Sequence, residues 1–454
     1  MPTTVSPSRA AAFDILLRVE QDAAYASELL HSEKLEKLST TDRALTTDLV
    51  MGVLRWRSRL DDMMAAASSR PLSKLDTEVL NALRLAAYQM QFLSRIPARA
   101  AINESVELVK RAKKRSAAPF ANAVLRRLAE IKPEPWPETM VGDPIPFLAR
   151  EFAHPEWLVK RWVTMFGVER ALAICKQDQR VPCTAIRLDS AEMEQELASE
   201  GVELAPGALL ASARIIAGGD VTRTRAFREG RVFIQDEASQ LVAALVGKGS
   251  RLLDCCAAPG GKTAALAVRN PTAQIIAAEL HSHRADLLRK RVQAANVHVI
   301  TADVLDLPLP GGFDRVLADV PCSGTGTLAR HPEIKWRLAP DDLGDLHARQ
   351  VDILRAGLRQ LAPGGRAVYS TCSLEREENE DVVEEALRGN ASYELRDCRE
   401  ELQRLRDDGE LVWGDLDSLL SEKFLRTLPG VQPCDGFFAA VVEGRIVDRE
   451  TRRG

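Results

Sequence analysis

The sequence has no apolar run near the roughly 20 residues that a membrane-crossing helix needs, although hydrophobic residues make up 45% of it, so no membrane partner is expected. Its start, Met1-Pro2-Thr3-Thr4-Val5-Ser6-Pro7, lacks the basic opening and apolar stretch of a secretory signal, and a cytoplasmic chain is expected. Cysteines at metal-binding spacing are missing too. The 8 cysteines form no CxxC and have no histidines at ligand spacing, which argues against a disulfide framework and against a zinc site; no metal is expected. Most of those thiols are expected to be small buried hydrophobes. An excess of positive charge is also lacking: 61 Lys and Arg stand against 65 Asp and Glu. Composition therefore gives no sign of a nucleic-acid partner, and any such contact must rest on a local patch. The densest patch holds Lys110, Arg111, Lys113, Lys114, Arg115, Arg126 and Arg127, which fits either a solvated helix face or a contact with RNA. There is no internal repeat and no low-complexity tract.

At 454 residues the chain exceeds one ordinary core, so two or three domains are expected. Residues 8–131 read as successive helices, because apolar residues recur at helical spacing: Phe13, Leu16 and Leu17; Leu45, Leu49 and Val53; Leu80, Leu83 and Ala87; Ile102, Val106 and Val109; Phe120, Val124 and Leu128. Thr41 and Asp42 are plausible caps, and Pro97 breaks the run between the third and fourth helices. The reading is an all-helical domain over 1–132. Three prolines within Lys132-Pro133-Glu134-Pro135-Trp136-Pro137 disfavour a continuing helix and place a boundary there. Residues 145–234 read as a helical linker, opened by His154 to Trp162, and a small α+β module with one helix around Glu192 to Glu200.

From Gln235 to residue 446 apolar strands alternate with helices. The strands expected are Arg251–Cys255, Gln274–Glu279, Val297–Thr301, Asp314–Asp319 and Arg366–Thr371, with Phe437–Glu443 as a late strand. That alternation implies an α/β, doubly wound, Rossmann-like fold, a parallel sheet covered by helices on both faces. In such a sheet the ligand lies at the carboxyl ends of the strands, by the turn after the first one. Here that turn is Asp254-Cys255-Cys256-Ala257-Ala258-Pro259-Gly260-Gly261-Lys262-Thr263, followed by a helix over Ala264–Val268. The two glycines let a ligand approach the backbone. Glu279 ends the second strand about 20 residues after Gly260, where this fold places a carboxylate on a ribose hydroxyl, and Asp303 follows the third strand. A P-loop needs a glycine where Cys256 stands, and GxGxxG is absent. A pyrophosphate ligand is thus disfavoured against an adenosine ligand without phosphates, a description that S-adenosylmethionine fits.

The fourth strand delivers Asp319-Val320-Pro321-Cys322-Ser323-Gly324-Thr325-Gly326 and the fifth delivers Ser370-Thr371-Cys372-Ser373. Both cysteines sit where strands empty into polar loops, on the edge that carries the ligand turn; if the strands are neighbours, both thiols face one cleft. A thiolate suits the methylation of carbon 5 of cytosine, a poor nucleophile that becomes enamine-like once sulfur adds to carbon 6. Nearby basic groups such as Lys262 favour the thiolate. Asp319 could hydrogen-bond the ring or its amino group as charge develops. A single cysteine at a strand end is more often a buried structural thiol; two, each in a polar loop, point to chemistry.

These residues carry a resemblance. Cys256-Ala257-Ala258-Pro259-Gly260-Gly261-Lys262, Asp319-Val320-Pro321-Cys322-Ser323-Gly324, His331-Pro332-Glu333-Ile334-Lys335-Trp336 and Thr371-Cys372-Ser373 together resemble the Sun/Fmu family of RNA 5-methylcytosine methyltransferases. Gln235-Asp236-Glu237-Ala238-Ser239-Gln240 resembles the family's opening motif and Asp435-Gly436-Phe437-Phe438 its closing strand. Ala101-Ile102-Asn103-Glu104-Ser105-Val106 and Phe120-Ala121-Asn122-Ala123-Val124-Leu125-Arg126 look like the NusB-type RNA-binding domain. The resemblance implies a 16S rRNA cytosine as substrate and an RRM-like module before the methyltransferase core. It further implies S-adenosylmethionine bound by Cys256, Ala257, Ala258, Pro259, Gly260, Gly261 and Lys262 with Glu279, Asp303 and Asp319. Cys372 would be the nucleophile, with Cys322 helping release. Two departures stand out: Glu279 where Asp is common, and Asp189 where Arg187-Leu188 is more often followed by Asn.

A DNA cytosine methyltransferase would use Cys322 as nucleophile, and the second cysteine argues against it. Two more readings compete with the rRNA enzyme: an inert RNA-binding assembly or antitermination factor, and a methyltransferase that acts on tRNA. The expectation is a monomer acting on ribosomal RNA, with no DNA partner. RNA would lie across the basic face of the helical domain and the connecting module and present an unstacked cytosine, since the target carbon is inaccessible in a stacked helix. His331, Lys335 and Trp336 are candidates to contact that RNA, Trp336 alternatively as packing.

Overall fold

The computed structural model describes residues 5–131, 140 and 142–446. By compactness the chain divides into Met1–Val181 with Leu328–Arg337, and Pro182–Thr327 with Leu338–Gly454. The boundary expected at Lys132 to Pro137 lies outside the described residues.

The first unit is helical, with long helices at Pro7–Gln21, Thr40–Ala67, Thr77–Phe92, Ala98–Arg111 and Ala118–Glu130. The stripes expected from spacing form its core: Leu16, Leu49, Leu83, Val109 and Val124 are all buried, because each helix hides one face against the others. One cap differs from expectation. Ser39, not Thr41 or Asp42, caps the Thr40–Ala67 helix, its hydroxyl accepting from the Asp42 N–H at 3.1 Å and donating to the Asp42 carboxylate at 2.7 Å. Pro97 stands at the cap of Ala98–Arg111, as its fixed φ favours. The helices Pro144–Glu151, Glu156–Phe166 and Val168–Asp178 count with this unit.

The segment Leu328–Arg337 also packs in the first unit, and it corrects an expectation. Lys335 is buried, not offered to RNA: its Nζ donates to the carbonyls of Arg55 and Ala153, both at 3.0 Å, and burial pushes its ammonium down to about 7. The Trp336 indole donates to the Leu54 carbonyl at 2.6 Å, so the ring serves packing. Glu333 accepts from the Ala26 N–H at 2.9 Å.

The second unit opens with strands β1 (Ala185–Arg187), β2 (Glu203–Pro206) and β3 (Ala213–Gly218), an antiparallel sheet in the order β1-β3-β2 with the helix Ala191–Ser199 between β1 and β2. An antiparallel bridge between Ile186 and Ile234 sets a fourth segment beside β1, the order of a split βαβ module. Nine further strands follow: β4 (Arg251–Asp254), β5 (Gln274–Glu279), β6 (Val297–Thr301), β7 (Phe313–Asp319), β8 (Leu361–Thr371), β9 (Tyr393–Arg396), β10 (Leu420–Ser421), β11 (Phe424–Thr427) and β12 (Phe437–Gly444). They make one sheet in the order β10-β11-β12-β8-β7-β4-β5-β6, with β9 on β12. From β6 to β8 the neighbours are parallel and β12 is antiparallel, so the sheet is mixed where a parallel one was expected.

Side chains alternate between two apolar layers, as the pleat requires. Leu252, Leu317 and Val368 join the layer of the Glu237–Val246 helix, whereas Leu253, Val316, Ala318 and Tyr369 join that of Asp342–Arg359 and Glu380–Leu387. Strand order reverses at β4, flanked by β5 and β7. This is the switch point where open α/β sheets bind ligands.

Candidate active site

The turn after β4 is held from inside. Thr263, in the first turn of the Gly261–Arg269 helix, donates to Asp254 Oδ2 at 2.7 Å and ties helix to strand. Burial, assisted by the charge of Asp319, pushes the Asp254 carboxyl up to about 7 against that hydrogen bond. Gly260 has φ +108°, and a Cβ there would lie 2.7 Å from Val292 Cγ2 and 2.8 Å from Leu288 Cδ1. Backbone conformation and space thus both require glycine.

A cavity of about 250 Å³ opens at the carboxyl ends of β4 to β8. Cys256 and Ala258 of the turn line it, together with Glu279, Asp303, Asp319, Cys322 and Cys372. Ala257, Pro259, Gly260, Gly261 and Lys262 lie outside its wall and shape the turn behind it. The buried Glu279 accepts from the His281 N–H at 3.0 Å, with Arg284 Nη1 at 3.8 Å. Arg284 also donates to the Ala258 carbonyl at 3.1 Å, joining the loops after β4 and β5. Asp303 accepts from the Leu305 N–H at 3.0 Å.

β7 and β8 are neighbours, with Asp319 paired in register with Ser370, and they bring the two cysteines together: Cys322 Sγ lies 3.4 Å from Cys372 Sγ. The hydrogen bond with Cys372, and then burial, hold the Cys322 thiol well above its ordinary value. Burial likewise pushes up the thiols of Cys255 and Cys256, which removes them as competing thiolates. Asp319 is engaged through both oxygens, Oδ2 by Lys262 Nζ at 2.8 Å and Oδ1 by the Ser370 hydroxyl at 2.8 Å. Lys262 Nζ also sits 5.0 Å from the centre of the Phe437 ring.

Three residues absent from the sequence reading belong to this site. Arg284 and Arg349 line the cavity. Glu378 lies fully buried, and its carboxylate accepts from the Ser323 N–H at 2.8 Å and Gln350 Nε2 at 2.9 Å, as well as from the hydroxyls of Ser323 and Ser373. The signal available in the sequence was the repeated dipeptide, Cys322-Ser323 and Cys372-Ser373.

Comparison with known proteins agrees with both units. A family model described as 16S rRNA methyltransferase RsmB/F matches residues 244–443, and the NusB family model matches residues 6–130. A probable ribosomal RNA small subunit methyltransferase B from Bacillus subtilis is 37% identical over 399 residues, which cover 84% of this chain and 88% of the relative. A ribosomal RNA small subunit methyltransferase B from Pseudomonas putida is 35% identical over 77% of this chain and 82% of its own. The crystal structure of a methyltransferase homolog from Pyrococcus horikoshii superposes with a TM-score of 0.55 at 27% identity, covering 67% of this chain and 100% of that one. The chain belongs to the 16S rRNA methyltransferase RsmB/F family, with a NusB-like helical domain ahead of a Rossmann-like methyltransferase core.

Proposed function

We propose that this protein transfers a methyl group from S-adenosylmethionine to carbon 5 of a cytosine in 16S rRNA, with Cys372 as the covalent nucleophile. The observation that carries the reading is the pair of sulfurs 3.4 Å apart on the wall of a cavity that Glu279 and Asp303 also line. The cavity suits the cofactor: two carboxylates at the ends of β5 and β6 offer acceptors for ribose hydroxyls, and Leu280, Val304 and Leu305 offer an apolar surface for a ring. The turn Cys256 to Lys262 with Glu279, Asp303 and Asp319 would hold it. When bound, S-adenosylmethionine supplies an electrophilic methyl group.

The chain's own residues do the rest. Cys372 sulfur bonds to carbon 6, and the displaced π electrons make carbon 5 nucleophilic. Asp319, aimed by Lys262 and Ser370, hydrogen-bonds the ring or its amino group as charge develops there. Once carbon 5 carries the methyl group it loses its proton to water in the open cavity, the carbon 5–carbon 6 double bond returns, and the electrons of the sulfur–carbon bond go back to Cys372. The Cys322 thiol, in contact with that sulfur, donates a hydrogen bond to it as it leaves. A nucleophilic Cys322, as a DNA-type scheme requires, runs against the factors that keep its proton on.

The rRNA substrate follows the names of the relatives, and the basic patch of the first unit supports it. Lys110, Arg111 and Lys114 pair with Glu107, Asp14 and Asp76. Lys113, Arg115, Arg126 and Arg127 are exposed and are assigned to phosphate contacts. The test uses two variants incubated with 16S rRNA and S-adenosylmethionine. Cys322→Ala is expected to accumulate a covalent protein–RNA adduct that denaturing gels resolve, and Cys372→Ala none. The reverse pattern would exchange the two roles.

A further inference from the structure

Two cysteine loops 50 residues apart in sequence meet at one buried carboxylate. Ser323 and Ser373 each follow a cysteine of the pair, and their hydroxyls lie 3.0 Å from each other with Glu378 Oε2 between them. Oε1 of the same group takes the Ser323 N–H and Gln350 Nε2, and Gln350 also donates to the Pro321 carbonyl at 2.9 Å. The backbone of Glu378 is fixed as well, its carbonyl accepting from the Tyr369 hydroxyl at 2.5 Å. Next to it, Asn379 accepts from the Thr371 hydroxyl at 2.6 Å and donates to the Ser373 carbonyl at 2.9 Å. An ionised carboxylate is acceptor-only, and burying one is costly unless donors saturate it. The donors here are supplied by both cysteine loops. A displacement of either loop would strip hydrogen bonds from a fully buried carboxylate.

We infer that Glu378 is a positioning residue that holds the two sulfurs in register: it fixes Ser323 and Ser373, and through them sets Cys322 against Cys372. The carboxylate lies outside the cavity wall and does not touch the reacting atoms. The inference rests on the covalent reading above for its catalytic consequence, while its geometric consequence stands apart from it. Glu378→Gln keeps the volume and replaces one acceptor oxygen with a donor that faces hydroxyls already donating.

The test measures sulfur register and catalysis separately in the full-length protein. Register is read as the rate at which diamide closes the Cys322–Cys372 disulfide. In that reaction each thiol gives up a proton and an electron, the S–S bond forms, and the diazene is reduced to the hydrazine. In Glu378→Gln closure is expected to slow, and kcat for methyl transfer to fall about tenfold to a hundredfold with KM for rRNA and S-adenosylmethionine near wild type, as for groups misplaced by about 1 Å. Thermal unfolding and S-adenosylmethionine binding establish that the variant is folded. Should it not fold, Ser373→Ala, which removes one arm of the bracket, carries the same expectations. Closure at the wild-type rate in a folded variant, or an unchanged kcat, overturns the role of Glu378 alone. In a parallel Cys372→Ser chain, retained methyl transfer overturns the covalent reading and with it the catalytic half of this proposal.

Discussion

Asp254 ends β4 with its Oδ2 held by Thr263 and its titration raised by burial from the usual 3.8 to about 7. The native state therefore binds this proton more tightly than the unfolded chain does. The resulting stabilisation is complete below about pH 4 and is lost as pH rises through about 7. Asp254→Asn keeps an acceptor for Thr263 and cannot ionise. Thermal unfolding compared between the two proteins should show the variant gaining relative to wild type from about pH 4 to about pH 7, and a constant difference above that. Identical pH profiles would mean that Asp254 is ionised throughout.

Several side chains of this site were legible as residues because strand periodicity places Glu279, Asp319 and Cys372 at strand ends. Glu378 was not. Its partners Ser323 and Gln350 come from other loops and helices, and only β7 lying beside β8 makes a charged residue among several acidic neighbours into a buried bracket.

At the level of elements, the helix Glu237–Val246 is buried along its entire length, and its first residue binds it to the α+β module. The Glu237 carboxylate, 1% exposed, accepts from the N–H groups of Ala208, Leu209 and Leu210 at 2.9, 2.7 and 3.0 Å. It also sits at a helix N-terminus, where negative charge is favoured. Glu237→Ala leaves these donors without an acceptor and is expected to cost about 3 kcal/mol or more in urea unfolding. A cost under about 1 kcal/mol would show that the loop finds other acceptors.

The strands β5 and β6 begin and end where their apolar pattern predicted, since each is a run bounded by turn residues. β8 begins earlier, at Leu361, because a register shift against β7 takes Pro363, Gly364 and Gly365 into the strand as a bulge, with Gly364 at φ +74°. Such a bulge reads as a turn in sequence. β9, β10 and β11 are two to four residues long, too short to carry a period, and they extend the antiparallel edge that β12 begins. Ser39 was missed as a cap because Thr40, Thr41 and Asp42 beside it are equally good cap residues.

For the chain as a whole, fold class was legible, because helical spacing over 8–131 and strand–helix alternation after Gln235 report different architectures. The place of Leu328–Arg337 was not. That segment follows the Cys322 loop, and its polar residues suggested contact with RNA, yet it packs within the helical unit with Lys335 buried on two backbone carbonyls. Sequence order cannot show which unit a connecting segment packs with.

The proposed reaction is the installation of 5-methylcytosine in 16S rRNA through Cys372. Bisulfite sequencing of 16S rRNA from cells lacking the protein, complemented with wild type or with Cys372→Ala, measures it directly. One cytosine is expected to be protected in the wild-type complement and to convert fully both in the deletion and in the Cys372→Ala complement. Protection that persists in the deletion, or that Cys372→Ala restores, would contradict it.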